Sequence, residues 1–232
     1  MLRTSAIELA RSAQQAGATA LLCVTPFYLK PTEAGVFAHF RAIHDAVEIP
    51  IILYDVPSRT ACSLTDTAVV RLAGLPRIIG LKDATADIGR VGRLRRRLGQ
   101  RFLLLSGDDA TQSAFRTAGG NGCISVTANV APALCAALHK ACDAKRTAEI
   151  EQIDHVLAPL HAALFLETNP IPLKRALHHL KLIQDGLRLP LTPLSPDADR
   201  QLAVVLRQIL EAEEECALRF ASGKARNARE AA

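Results

Sequence analysis

One lysine and one tyrosine in this chain each finish an apolar run. Arg77-Ile78-Ile79-Gly80-Leu81-Lys82 ends on an ammonium, and the polar turn Asp83-Ala84-Thr85 follows; Pro50-Ile51-Ile52-Leu53-Tyr54 ends on a phenol. If the two runs are buried parallel strands, both groups stand at carboxyl ends, where α/β folds keep their chemistry. An ammonium held against apolar walls loses solvation, so its pKa falls and it becomes an amine nucleophile that forms Schiff bases with carbonyl compounds. A phenol within reach can move protons to and from the adduct. A second reading of the same residues stands beside this one: a lysine pointing into solvent, and a tyrosine whose ring merely seals the edge of a core.

The elements that must position this pair alternate. A helix from Ser5, ended by Gly17, precedes the apolar run Ala20–Val24, which Thr25-Pro26-Phe27-Tyr28 closes. A helix from about Thr32 carries Val36, Phe40, Ile43 and Val47 on one side. The Tyr54 strand is followed by a long turn, Asp55 to Thr60, and then by a helix with Leu64, Ala68, Val69 and Leu72. The Lys82 strand leads to an arginine-bearing helix. Phe102–Gly107 and Gly122–Val126 read as the fourth and fifth strands, each with a helix behind it. Runs apolar at every position suit strands covered on both faces. A strand–helix period of roughly 20–30 residues predicts βαβ units in a parallel sheet. From about Lys145 only helices are expected: Thr147–Leu166 bent at Pro159, Pro172–Leu182, and Asp197 to about Ala221, with a frayed polar end. The expected division is a segment of βα units over 1–145, a helical region over 146–213 and a polar tail over 214–232. On this arrangement each strand end brings a polar group to one rim: Thr25 and Tyr28, then Tyr54, Lys82, Gly107 with Asp108, and Thr127.

Composition narrows the function classes. The 232 residues carry a net charge of +5, hydrophobic residues make up 49%, and tryptophan is absent. The positive charge is spread out except at Arg90, Arg93, Arg95, Arg96 and Arg97. Their helical spacing reads as a solvated helix face rather than a nucleic-acid patch. The six cysteines form no C-x-x-C pair and fall largely in apolar runs, which predicts reduced thiols in a cytosolic protein. No apolar run approaches the ~20 residues of a membrane span.

Several segments, in order, resemble those of the dihydrodipicolinate synthase / N-acetylneuraminate lyase superfamily. They are Val24-Thr25-Pro26-Phe27-Tyr28, Tyr54-Asp55-Val56-Pro57-Ser58-Arg59-Thr60, Gly80-Leu81-Lys82-Asp83-Ala84-Thr85, Ser106-Gly107-Asp108-Asp109, Ile124 to Asn129 and Glu167 to Lys174. The resemblance runs from about Thr4 to Ile209. It implies a TIM (β/α)8 barrel with a C-terminal helical appendage. It further implies that Lys82 forms a Schiff base with pyruvate and that Tyr54 donates and accepts protons. Tyr28 would be the second phenol of the relay, reaching a neighbouring subunit's site. Gly107 and the backbone around Ile124 would help hold pyruvate. Arg59 stands where the synthase branch meets the carboxylate of its second substrate, and a guanidinium suits such bidentate binding. The implied reaction condenses pyruvate with L-aspartate 4-semialdehyde in lysine and diaminopimelate biosynthesis. No metal or organic cofactor is implied, no nucleic-acid or membrane partner, and the implied assembly is a homodimer or homotetramer in the cytoplasm. Phe27 replaces the tyrosine common at its position, which bears on feedback by lysine.

The resemblance also sets an expectation of incompleteness. The family barrel has eight strands and five are counted here, so three βα units, on the order of 75 residues, are expected ahead of Ala20. They would include the glycine-threonine-threonine segment whose hydroxyl links the two tyrosines. A barrel open on two edges invites aggregation unless something covers it. An active synthase is therefore weighed against an inactive truncated homologue, and against an aldolase acting on 2-keto-3-deoxy sugar acids or on sialic acid.

Overall fold

The computed structural model describes the backbone of residues 3–230 and the side chains of residues 4–219. The chain forms two compact units, Met1–Ile124 and Ser125–Ala232.

The first unit is built of βα repeats. Helix α1 (Arg3–Gln15) leads to β1 (Leu21–Val24), α2 (Glu33–His44), β2 (Ile51–Asp55), the one-turn helix α3 (Pro57–Thr60) and α4 (Asp66–Ala73). Then come β3 (Ile78–Asp83), α5 (Ile88–Leu98), β4 (Leu103–Ser106), α6 (Gln112–Thr117) and β5 (Gly122–Cys123). Two helix starts follow from side-chain oxygens: Thr32 accepts from the Gly35 N–H and Thr65 from the Ala68 N–H, each satisfying a free donor of the first turn. The Asp55–Thr60 stretch, expected as an open turn, contains α3, with Pro57 at its first position and Ala61 closing it in the left-handed region.

Among the described residues the five strands form one parallel sheet in sequence order. This is the order that right-handed crossovers lay down in a barrel wall. The strands do not have the two fully covered faces expected from their apolar runs. Ile51, Leu53, Leu81 and Leu104 are fully buried against the helices, whereas Ile52, Tyr54, Lys82, Leu103 and Leu105 on the other face are half-buried. The helix-side core joins those residues to Phe40, Val69, Leu72 and Leu94. At roughly 1.5–3 kcal/mol per fully buried side chain, this face holds the unit together.

The fifth strand is shorter than expected. Only Gly122–Cys123 pair with β4, and Ile124–Val126 leave the ladder after the Ile124 N–H donates to the Ser106 carbonyl. Among the described residues β5 pairs only with β4, and a 3₁₀ turn, Thr127–Asn129, follows it.

The arginine helix departs from expectation more sharply. Arg93, Arg96 and Arg97 are exposed, but Arg90 is 3% exposed and faces the sheet. Arg95 is half-buried and donates to the Gly99, Phe102 and Gly119 carbonyls, which burial of its aliphatic stem allows. Four residues after Asp87 caps the helix, Val91 and Leu94 turn inward, and Arg90 shares their side.

The second unit is helical: α7 (Pro132–Asp143), α8 (Thr147–Ala163), α9 (Ile171–His179) and α10 (Pro196–Glu230). Helix α7, expected with the barrel segment, packs here on α8 and α10. The expected frayed end is absent from the described backbone: α10 continues to Glu230. Glu213, inside the expected helix, ties α10 to α7. Its two carboxylate oxygens accept from the Ala133 and Leu134 N–H groups at 2.7 and 2.9 Å, filling free donors at the positive end of α7. Replacing Glu213 by Ala is expected to lower stability by about 1 kcal/mol, read as a lower urea midpoint with unchanged slope. An unchanged midpoint would show the cap to be inert.

Candidate active site

Strand pairing brings the two reactive residues together. Tyr54 on β2 lies opposite Lys82 on β3, and Asp55 opposite Asp83. Because side chains alternate along a strand, the phenol and the amine share one face while the two carboxylates share the other. Lys82 Nζ sits over the Tyr54 ring, 4.3 Å from its centroid. That contact favours a cation weakly, yet burial dominates and holds the Lys82 pKa below the ordinary lysine value. The charge of Asp109 and the sulfur of Cys123 pull it partly back. Burial also pushes the Tyr54 phenol up, with Arg59 opposing. Both shifts favour neutral forms, so the site tends toward a free amine beside an undissociated phenol.

Gly107 is there because nothing larger fits. A Cβ at this position would lie 3.0 Å from Lys82 Cε and 2.9 Å from Ala84 Cβ. Its N–H donates to the Asp83 carbonyl at 2.7 Å, which ties the end of β4 to the end of β3. Arg59, on α3, is exposed and close enough to Tyr54 to act on its ionisation. Ile124 is anchored by its backbone at the end of β4, with its side chain 39% exposed.

Tyr28 stands apart. It takes φ 73°, unusual for a residue with a side chain, and its N–H donates to the Thr60 carbonyl. Its ring is 86% exposed. Thr25, behind it, is fully buried and donates to the Thr60 hydroxyl at 3.3 Å. Thr127, also expected at the rim, is buried in the second unit and shares a 2.8 Å hydrogen bond with His161 Nδ1.

Two side chains near the pair, Asp109 and Arg90, were given no role from the sequence. Asp109 is buried, with its carboxylate 4.0 Å from the Cys123 sulfur. Arg90 lies behind the pair, on the helix side. Position after a strand could have flagged Asp109; the spacing of the arginines could not have separated Arg90 from its neighbours. Among the described residues none of the six cysteines is in a disulfide, and burial pushes Cys23 up to about 11, which makes it unreactive. Among the described residues no group of three or more His, Cys, Asp or Glu side chains is placed to hold a metal ion. No described helix is long and apolar enough to cross a membrane.

Residues 3–209 match the dihydrodipicolinate synthetase family. The chain is 50% identical over 188 residues to the 4-hydroxy-tetrahydrodipicolinate synthase of Rhodospirillum centenum, covering 81% of this chain and 65% of that one. It is 49% identical over 203 residues to the enzyme of the same name from Pseudomonas aeruginosa, covering 88% and 70%. The crystal structure of the chloride-inhibited dihydrodipicolinate synthase from Acinetobacter baumannii, complexed with pyruvate, superposes with a TM-score of 0.86 at 43% identity, covering 89% of this chain and 71% of that one. The matched stretch thus spans about two thirds of the length of these relatives. The alternating elements, the paired strand ends and the matches over most of the sequence agree: the chain belongs to the dihydrodipicolinate synthetase family, and its five strands are a segment of that family's barrel.

Proposed function

We propose that this chain carries the catalytic face of a 4-hydroxy-tetrahydrodipicolinate synthase, a class I lyase that condenses pyruvate with L-aspartate 4-semialdehyde. The observation that carries the reading is the Lys82 amine, 4.3 Å from the Tyr54 ring centroid and held below its ordinary pKa by burial. The neutral amine attacks the keto carbon of pyruvate, and loss of water gives the Schiff base. Tyr54, kept protonated, donates to the departing hydroxyl and then accepts in turn. Loss of a methyl proton leaves an enamine whose carbon attacks the aldehyde of the second substrate. Gly107 leaves room for the lysine stem and, with the backbone of Ile124, borders the keto acid. Arg59 takes the carboxylate of aspartate semialdehyde. Tyr28, exposed as it is, serves a second copy of the chain, which makes the working form a homodimer or a pair of dimers. The relatives' names and the pyruvate in the Acinetobacter baumannii complex support the substrate class.

A second reading is a non-catalytic homologue. It is favoured by β1 and β5, each of which has one neighbouring strand among the described residues. Turnover with aspartate semialdehyde, set beside a panel of 2-keto-3-deoxy acids, separates the synthase from a sugar-acid aldolase; preference for the panel would overturn the assignment.

Borohydride reduction in the presence of pyruvate is expected to fix a pyruvyl adduct on the peptide bearing Lys82, and Lys82→Ala is expected to abolish it. A folded sample that gives no adduct would sink the enzyme reading. The trapping rate is expected to rise with pH and level off above a midpoint lower than the ~10.4 of an ordinary lysine, since only the neutral amine attacks. Tyr54→Phe is expected to slow turnover by about 10²–10⁴-fold, the usual worth of a positioned proton donor. Arg59→Ala is expected to raise KM for aspartate semialdehyde while leaving pyruvate trapping unchanged; loss of trapping would remove Arg59 from the second substrate's site.

A further inference from the structure

Behind the reactive pair, on the helix side of the sheet, lies a buried charge cluster that the reaction does not use. Arg90 Nη1 donates to Asp55 Oδ2 at 2.9 Å and to Asp83 Oδ2 at 3.2 Å. Its Nη2 donates to the Leu64 carbonyl at 2.5 Å, and its Nε to Asp66 Oδ1 at 3.2 Å. Every nitrogen of the guanidinium is therefore engaged. Asp55 and Asp83 are as buried as Arg90. Asp55 Oδ2 also accepts from the Leu64 N–H, and Asp83 Oδ1 accepts from the Thr85 N–H and hydroxyl, which shapes the turn after Lys82.

The placement is specific. Asp55 directly follows Tyr54, and Asp83 directly follows Lys82. One nitrogen thus holds the last residues of both strands, while the residues just before them face each other on the opposite side. We propose that Arg90 is a positioning residue of the Schiff-base site: by bridging Asp55 and Asp83 it fixes the two strand ends so that the Tyr54 ring and the Lys82 amine stay opposed.

The physics runs through the two carboxylates. Without the cation, Asp55 and Asp83 stand together in a buried site, where like charges repel strongly. Burial, with Asp83 behind it, pushes Asp55 above the usual carboxylate range, and Arg90, helped by the Leu64 N–H, pulls it partly back. Loss of the bridge leaves the strands to part or a carboxylate to take a proton, and either outcome slackens the ends that carry Tyr54 and Lys82. A lysine in place of Arg90 would restore the charge but not the fork that spans two acceptors and a carbonyl. Arg93 is the internal control. It is half-exposed and pairs with Asp66 and Asp87 on the same helix border without touching either strand end.

This inference rests on the Schiff-base reading, and its test separates the two. Pyruvate trapping would be timed at saturating pyruvate in the wild type, Arg90→Gln, Arg90→Lys and Arg93→Ala, with the folded fraction matched by circular dichroism. Arg90→Gln is expected to slow trapping by about tenfold or more, because small misplacements of reacting groups are costly, with the half-saturating pyruvate concentration nearly unchanged. Arg90→Lys is expected to fall between, and Arg93→Ala to match the wild type. A folded Arg90→Gln protein trapping at the wild-type rate would overturn the proposal, as would an equal loss in Arg93→Ala. If Arg90→Gln does not fold, Asp83→Asn, which keeps the shape but removes one bridged charge, takes its place with the same expected loss. A second readout needs no pyruvate: the pH profile of reductive methylation at Lys82, followed by mass spectrometry. Slackening admits water, so the midpoint is expected to rise by roughly half a unit, a threefold loss of neutral amine; an unmoved midpoint counts against Arg90. A wild type that methylates at Lys82 but never traps pyruvate defeats the Schiff-base reading alone.

Discussion

The site depends on the register in which β3 lies on β2. Ile51 pairs with Ile78, but the next pair is Ile52 with Gly80, so Ile79 is one residue more on β3 than on its neighbour. Strand side chains have a period of two, and an extra residue exchanges the faces of everything beyond it. Past this bulge Lys82 comes opposite Tyr54, and Asp83 opposite Asp55. Regular pairing of the same residues onward from Ile51 and Ile78 would instead set Lys82 opposite Asp55, turning the amine toward the helices and Asp83 toward the face of the phenol. Gly80 sits at the turnover point, where a Cβ would lie 2.7 Å from Leu103 Cβ and 2.8 Å from the Leu103 carbonyl oxygen. The bulge and the close approach of β4 therefore belong together.

Two chemistries are stacked across the thickness of the sheet. On one face burial alone suppresses charge, which leaves an amine able to attack and a phenol able to donate. On the other, charge is buried but paired, with Arg90 among Asp55, Asp66 and Asp83. Such clusters are weak sources of stability, since removing ions from water costs about what their attraction returns. What a forked cation between two strands does supply is geometry, because carboxylates that would otherwise repel become a fixed spacing. The glycine at 107 completes this by letting the lysine stem pass close to the neighbouring strand.

The sheet and the helical unit show how packing departs from local pattern. Leu22, Ile52, Leu103 and Leu105 have apolar side chains without the full cover that their helix-side neighbours enjoy. In the second unit, α10 runs well past residue 209, where the family match ends, and Glu213 in that extension seats the first turn of α7. The stretch that follows, read from composition as a polar tail over 214–232, continues the same helix as far as Glu230.

Much of this was written in local pattern. Apolar runs of strand length, helices with a 3.6-residue stripe, a helix start near Thr32 and glycine stops place the elements within a few residues. The identities at two strand ends suffice to suggest amine chemistry. These features are legible because they depend on neighbours in the chain. Other features are long-range and were not. The bulge at Ile79, the early end of β5 and the burial of Arg90 among four exposed or half-exposed arginines all follow from what lies across the sheet. The sequence by itself determined which groups could react and which strands carry them. The tertiary structure decided which face each side chain meets, and so whether its charge is stripped, paired or left in water, because solvation and partner distance are properties of the packed chain rather than of residue type.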